Sequence, residues 1–201
     1  MENKKYKLTS ESIEVKGKTL YRIEALKDFG EIKKGDKGGF IESENNLEHE
    51  GDAWVSDDAC VYNNARVYGN ARVSDNSRVY GNSLVYGNAR VSDNASVYDN
   101  ASVSDNARVC GNVRVYGNTN VCGDAEISTG SDYIVFKNWW SSGMYFTWTR
   151  SNNMWSVGCF YGTGEELIKK AYKDSSKSGR QYERIVKYVE ETLKEEENGG
   201  E

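Results

Sequence analysis

Residues 67–83 read VYGNARVSDNSRVYGNS, and close variants of the same words run from Val55 to Glu126. These 72 residues divide into twelve hexapeptides, and the first residue is Val in all twelve. The fourth is Asn in ten, with Asp58 and Asp124 in the other two, and the fifth is always Ala, Ser, Thr or Val. A fixed short period means that like units stack. A β-branched residue every six, followed four later by a small one, specifies a short strand with one buried aliphatic and a corner too tight for bulk. Asn or Asp in the fourth place fits a corner that needs a left-handed backbone, which these residues tolerate. Gly in the third place, as at Gly69, Gly81 and Gly87, relieves the same corner.

A second period lies inside the first. The residue after each Val runs Ser56, Tyr62, Tyr68, then Ser74, Tyr80, Tyr86, then Ser92, Tyr98, Ser104, then Cys110, Tyr116, Cys122. Tyr holds every middle place and Ser or Cys every first place, so the unit is 18 residues. Three six-residue sides make a triangular prism, each coil resting on the last at about 4.8 Å. Proline is absent, which suits a stack in which backbone N–H groups must pair.

In this pattern the chain resembles the left-handed parallel β-helix proteins of the hexapeptide-repeat superfamily. With the lead-in GDKGGFIESENNLEHEGDAWV, its front two thirds is similar to bacterial and phage proteins of that superfamily. The resemblance implies a left-handed coil and a homo-oligomer, with a trimer favoured. It also raises catalysis, since many members are acyltransferases with a histidine between neighbouring chains and others are carbonic anhydrases with three metal-binding histidines. One histidine is present, His49, so counting excludes a three-histidine site. An acyltransferase base at His49 remains open, because a base needs only reach and a suitable pKa. Yet His49 stands six residues before Val55, in the place of an inward Val, and on that reading it points into the end cap.

The expected fold is mainly β, a left-handed parallel β-helix with an N-terminal hairpin cap and a small C-terminal α+β domain. Residues 1–48 hold the hairpin, KYKLT and SIEV against TLYRIEAL around KGK, and an irregular glycine-rich lead-in that caps the first coil. Residues 49–130 form the repeat. Residues 131–201 hold short strands, IVF, MYFTWT and MWSVGCFY, then two helices. The first helix opens with Thr163 and Glu166 in capping-box spacing and the second with Ser178 and Gln181. In the second, Tyr182, Ile185, Val186, Val189 and Leu193 share one face.

Composition narrows the function classes. Net charge is −5 with no basic block, so nucleic acid is not an expected partner. No apolar run approaches a membrane span, and the N-terminus has no signal-peptide pattern, so the expected location is the cytoplasm of a bacterial host. Cys60, Cys110, Cys122 and Cys159 lack metal-site spacing and read as reduced small apolar residues. No cofactor or metal is expected. A calcium site at the corner acids Asp57, Asp75 and Asp93 is the weaker alternative to a solvated corner.

The candidate binding residues are ladders and aromatics. Tyr62, Tyr80, Tyr98 and Tyr116 fall in register on one side of the prism, and Arg72, Arg90 and Arg108 on a neighbouring side. These are either copies left by repeat duplication or a contact face, for which tyrosine suits interfaces. Trp139, Trp140, Tyr145, Trp148 and Trp155, with Arg150 beside them, supply the C-terminal core and leave a set that can stack a nucleotide or hold a partner. The expected function is a non-enzymatic binding or scaffold protein of phage or mobile-element origin. It would be oligomerised by its β-helix and would inhibit a host defence system by binding a host protein or a small signalling nucleotide. The alternatives are an acyltransferase and a self-assembling structural protein.

Overall fold

A computed structural model describes residues 4–198. The chain divides into two compact units, one of residues 1–134 with 149–152, the other of residues 135–148 with 153–201.

The first unit is a parallel β-helix of about five turns preceded by a hairpin. Each hexapeptide contributes a two-residue rung ending on its Val, and rungs 18 residues apart pair in parallel. Three walls result. The tyrosine wall stacks Cys60–Val61, Arg78–Val79, Ser96–Val97 and Arg114–Val115. The arginine wall stacks Trp54–Val55, Arg72–Val73, Arg90–Val91, Arg108–Val109 and Glu126–Ile127. The third wall stacks Arg66–Val67, Leu84–Val85, Ser102–Val103 and Asn120–Val121.

The twelve Val side chains point inward and none is more than 1% exposed, each burial stabilising by about 1.5 kcal/mol or more. The fifth-place alanines are also fully buried. Where Ser77, Ser83 or Thr119 replaces Ala, its hydroxyl donates to the carbonyl three residues back, at 2.6–2.9 Å, so no buried donor is stranded.

The corners differ from the sequence expectation. The left-handed residue is the third of each hexapeptide, at all twelve positions from Asp57 to Gly123, and not the fourth. The fourth-place Asn has a different task. Its amide donates to the Asn or Asp one coil away, in the series Asn64, Asn82, Asn100 and the series Asn70, Asn88, Asn106, Asp124, at 2.9–3.1 Å. The period alone does not say which of two adjacent small polar residues turns the chain.

Strands β1 (Tyr6–Val15) and β2 (Lys18–Ala25) form the expected antiparallel hairpin, turned by Lys16 and Gly17 at φ 51° and 77°. The lead-in is more ordered than its composition promises. Strand β3 (Lys37–Ile41) pairs antiparallel with β2 and parallel with Cys60–Val61, joining the hairpin to the tyrosine wall. Its glycines allow this approach, since a Cβ at Gly38 would lie 2.5 Å from Ile23 Cγ1 and from the Val55 carbonyl. Leu47 then bridges to Val67, so Leu47 takes the inward place in the first coil. Eight residues separate Leu47 from Val55, against six in the repeat, and this excess puts His49 out of the inward column, contrary to the reading by sixes.

The two extra residues are closed by Lys5. Its ammonium is fully enclosed and donates to the carbonyls of Ala53 at 2.8 Å, Gly51 at 3.3 Å and Glu50 at 3.4 Å. Burial is the main cause that lowers its pKa to about 8, with Asp52 opposing.

A four-stranded sheet in sequence order, Tyr133–Lys137, Tyr145–Thr149, Met154–Val157 and Phe160–Gly162, falls mostly in the second unit. Helices α1 (Gly164–Asp174) and α2 (Ser176–Asn198) follow. Phe146, Trp148, Trp155, Leu167, Tyr182, Val186 and Val189 are its buried core. Thr163 caps α1 with Glu166 as expected. For α2 the expected cap is displaced: Ser178 is buried within the helix, and its N–H donates to Ser175 Oγ at 3.1 Å. Ser175 is thus the capping residue, as a serine three residues ahead of a free N–H.

Candidate binding wall

The outward residues of the tyrosine wall form two columns. One is Cys60, Arg78, Ser96 and Arg114, just before each Val. The other is Tyr62, Tyr80, Tyr98 and Tyr116, just after it, with ring centroids 5.0, 4.9 and 5.4 Å apart and planes within 12° of parallel. Rings stacked in this way show edges and hydroxyls to solvent, not faces. The column is graded along its length. Tyr62 is 1% exposed and packs with Leu20, Phe40 and Cys60 under the hairpin, Lys16 Nζ lies 4.7 Å from the Tyr80 ring centroid, and Tyr116 is 53% exposed. Burial, with Tyr80 adding to it, pushes the Tyr62 phenol up to about 12, and burial raises Tyr80 as well. Tyr133 stands at the far end, its hydroxyl donating to the Arg114 carbonyl at 2.6 Å.

Between the two columns lies a pocket of about 210 Å³ lined by Lys16, Arg78, Tyr80, Ser96, Tyr98 and Arg114. Three cations line it and no carboxylate does. The sequence pattern named Tyr80 and Tyr98 but missed Arg78 and Arg114, because this column alternates between Arg and smaller residues. Reading the pre-Val position at 18-residue spacing, 60, 78, 96, 114, would have found them. Lys16 comes from the hairpin and carries no such signal.

The other candidates are more fully compensated. Arg72, Arg90 and Arg108 stack in one column as expected, between Trp54 and Glu126, and Arg108 pairs with Glu126 at 3.4 Å. The corner acids Asp57, Asp75 and Asp93 accept the backbone N–H of the next coil, at Asp75, Asp93 and Gly111, at 3.3, 3.2 and 2.8 Å. An oxygen aimed at an N–H serves the stack, and among the described residues no group of three His, Cys, Asp or Glu is placed to hold a metal ion.

His49 stacks on Tyr6 at 4.3 Å, and its Nδ1 accepts from the Lys5 N–H at 3.3 Å. With Nδ1 occupied, Nε2 carries the proton, and it faces Glu44 at 3.7 Å. His49 lines an open cleft of about 1020 Å³ with Glu42, Glu44 and Glu48. This cleft is far larger than the tyrosine-wall pocket, but of its cations Lys18 is paired with Glu42 at 2.6 Å and Arg66 lies over the Tyr68 ring, and three glutamates line the same space. The four cysteines are free thiols. Burial raises Cys60 and Cys110, the opposite of an activated nucleophile.

In the second unit the aromatic candidates divide. Trp148 and Trp155 are core, and Trp140 is 7% exposed against Phe146 and Tyr182. Trp139 is 74% exposed, while Met144 and Tyr145 are partly so, with Lys137 Nζ 5.5 Å from the Tyr145 ring. Arg150 belongs to the first unit, its Nε donating to the Ser131 carbonyl at 3.3 Å. Among the described residues no helix is long and apolar enough to cross a membrane.

A family model for the YdcK β-solenoid repeat matches residues 65–81, 83–99 and 107–123. No curated protein matches the chain. The three matched stretches lie within the stacked walls, and together with the parallel rungs they identify the chain as a β-helix repeat protein.

Proposed function

We propose that this is a non-enzymatic binding protein in which the β-helix is a rigid frame for displayed side chains. The observation that carries the reading is the tyrosine wall, where stacked rings in fixed register stand beside three cations in a pocket that no carboxylate lines. Fixed register favours recognition, since side chains already ordered lose little entropy on binding. The exposed Trp139 with Met144 and Tyr145 adds a second apolar surface of the kind that anchors partners. The resemblance to phage proteins extends the reading: the chain comes from a phage or mobile element, forms a homo-oligomer, a trimer by preference, and works in the bacterial cytoplasm. There it inhibits a host defence system by holding a host protein or a small signalling nucleotide.

The test is capture from a bacterial lysate by the tagged full chain, with thermal shift against a panel of nucleotides and light scattering for the oligomeric state. Specific retention of a host protein, or a nucleotide-dependent rise in melting temperature, supports the reading. Neither one, with a folded chain, defeats it. The acyltransferase reading has one observation in its favour, that His49 lines an open cleft of about 1020 Å³. It predicts acyl-CoA turnover that His49→Ala abolishes, and no turnover across a donor panel removes it.

A further inference from the structure

We infer that the pocket on the tyrosine wall is an anion site that takes a phosphate monoester group. The inference rests on the binding reading above and names the chemistry that one wall accepts. Arg78 and Arg114 sit two rungs apart with Ser96 between them, a separation of about 9.6 Å along the stack at about 4.8 Å per rung. Two long side chains from those rungs reach the space over Ser96 from opposite sides. Lys16 enters from the hairpin turn, and the tyrosines 80 and 98 form the remaining wall.

Charge decides the class of ligand. Three positive side chains line about 210 Å³ without a carboxylate among them. The nearby acid, Asp99, is directed elsewhere, its Oδ2 accepting the Gly117 N–H at 3.2 Å. Like charges gathered without a counterion repel, and an anion in their midst removes that cost. Guanidinium groups bind phosphate oxygens through paired N–H donors, and a tetrahedral dianion offers oxygens to both arginines and to Lys16 at once. A planar carboxylate carries one charge and presents its acceptor sites in one plane, so it compensates three cations grouped around the space less well. The Ser96 hydroxyl and the phenols of Tyr80 and Tyr98 are neutral donors of the kind that complete such a shell.

Size sets how much of a ligand is held. Pockets that enclose a whole drug-sized molecule run to about 300–1,000 Å³, so this one grips a charged group and leaves the rest of the molecule outside. Because the interior rings of the ladder face one another, the wall offers ring edges to whatever carries the phosphate. Base stacking on Tyr80 or Tyr98 is therefore not part of the site.

The experiment is calorimetric titration of the full chain with inorganic phosphate and with phenyl phosphate, at constant ionic strength in a buffer free of other oxyanions. Acetate is the comparison ligand. The expected result is saturable binding of one phosphate per chain, at least tenfold weaker in Arg78→Met/Arg114→Met. That variant should melt as the wild type does, and Arg90→Met on the other wall should bind normally. Arg78→Lys/Arg114→Lys keeps the charge without the paired donors and should lose part of the affinity. Phosphate binding that the Met pair leaves unchanged overturns the inference, as does acetate binding equal to phosphate or no saturable binding by a folded chain. The two readings fail separately. Host-protein capture that persists without phosphate binding sinks only this inference, and phosphate binding without capture or a nucleotide response sinks only the larger one.

Discussion

Replacing Lys5 by Met should change how the stability of the chain depends on pH. In the folded chain the Lys5 ammonium is enclosed and its pKa is lowered from 10.5 to about 8, chiefly by burial. Between those values the unfolded chain holds a proton that the folded chain has released, so stability rises with pH through this window. The burden of the buried charge is complete below pH 8 and gone above 10.5. Linkage gives a gain on the order of 1 kcal/mol between pH 7 and pH 9. Lys5→Met deletes this term, and it also strands the Ala53 carbonyl, which costs about 1–3 kcal/mol at any pH. Urea unfolding of both proteins at pH 7 and pH 9 isolates the Lys5 contribution, because Cys60, Cys110 and the tyrosines titrate alike in each. The wild type should gain about 1 kcal/mol on the variant over that interval. A stability difference, wild type minus variant, that stays constant or falls as pH rises would refute the claim that Lys5 is a desolvated cation plugging the first coil.

Three further outcomes test the stack and the exposed surface. Gly117→Ala and Gly81→Ala both force Ala to φ near 70°, but only at Gly81 would the new Cβ meet backbone, 2.8 Å from Asp99 N. Thermal denaturation should show about 1–2 kcal/mol lost at Gly117 and a further 1 kcal/mol or more at Gly81. Asn88→Ala breaks two ladder bonds, from Asn70 at 3.1 Å and to Asn106 at 3.0 Å; being exposed, they should be worth about 1 kcal/mol together in chemical denaturation. Trp139→Ser should leave the melting temperature within a degree or so, since a side chain 74% exposed buries little, while lowering retention of any host partner; a large stability loss would place Trp139 in the core instead.

The β-helix was legible in the sequence because its physics repeats. Every inward Val and every small corner residue answers the same steric demand, and twelve copies make the demand visible. The 18-residue period likewise gave the tyrosine column before any coordinate. What stayed hidden depends on single, unrepeated contacts. Lys5 and His49 meet at the first coil only because eight residues, not six, join Leu47 to Val55, and no periodicity predicts its own exception. The pocket was half visible: its tyrosines follow the strict column, whereas Arg78 and Arg114 share theirs with Ser96 and Cys60. Lys16 reaches Tyr80 from a hairpin tip, across more than sixty residues of chain. The corner was misassigned between two neighbouring positions because Gly, Asn and Asp are all tolerated where φ is positive. In the strand Tyr145–Thr149, alternation separates exposed Tyr145 from buried Phe146 and Trp148, but it fails for Thr147, which is buried as well.

The division of the coil into three walls also constrains how such a gene can change length. A replication slip that adds or removes 18 codons inserts or deletes one whole turn, leaves every rung paired with its own kind, and lengthens or shortens the tyrosine column by a single ring. A slip of six codons preserves the Val column and the corners, so the chain still coils. Yet it shifts everything downstream by one wall: a loss of six codons between Tyr80 and Tyr98 would set Tyr98 behind Ser74, with the arginines divided among faces. Selection for folding alone tolerates either event, whereas selection for a displayed surface admits only the first. From Val55 to Glu126 the tyrosine places keep the 18-residue phase without a single six-residue slip, which is the trace that a working face, rather than a coil as such, would leave.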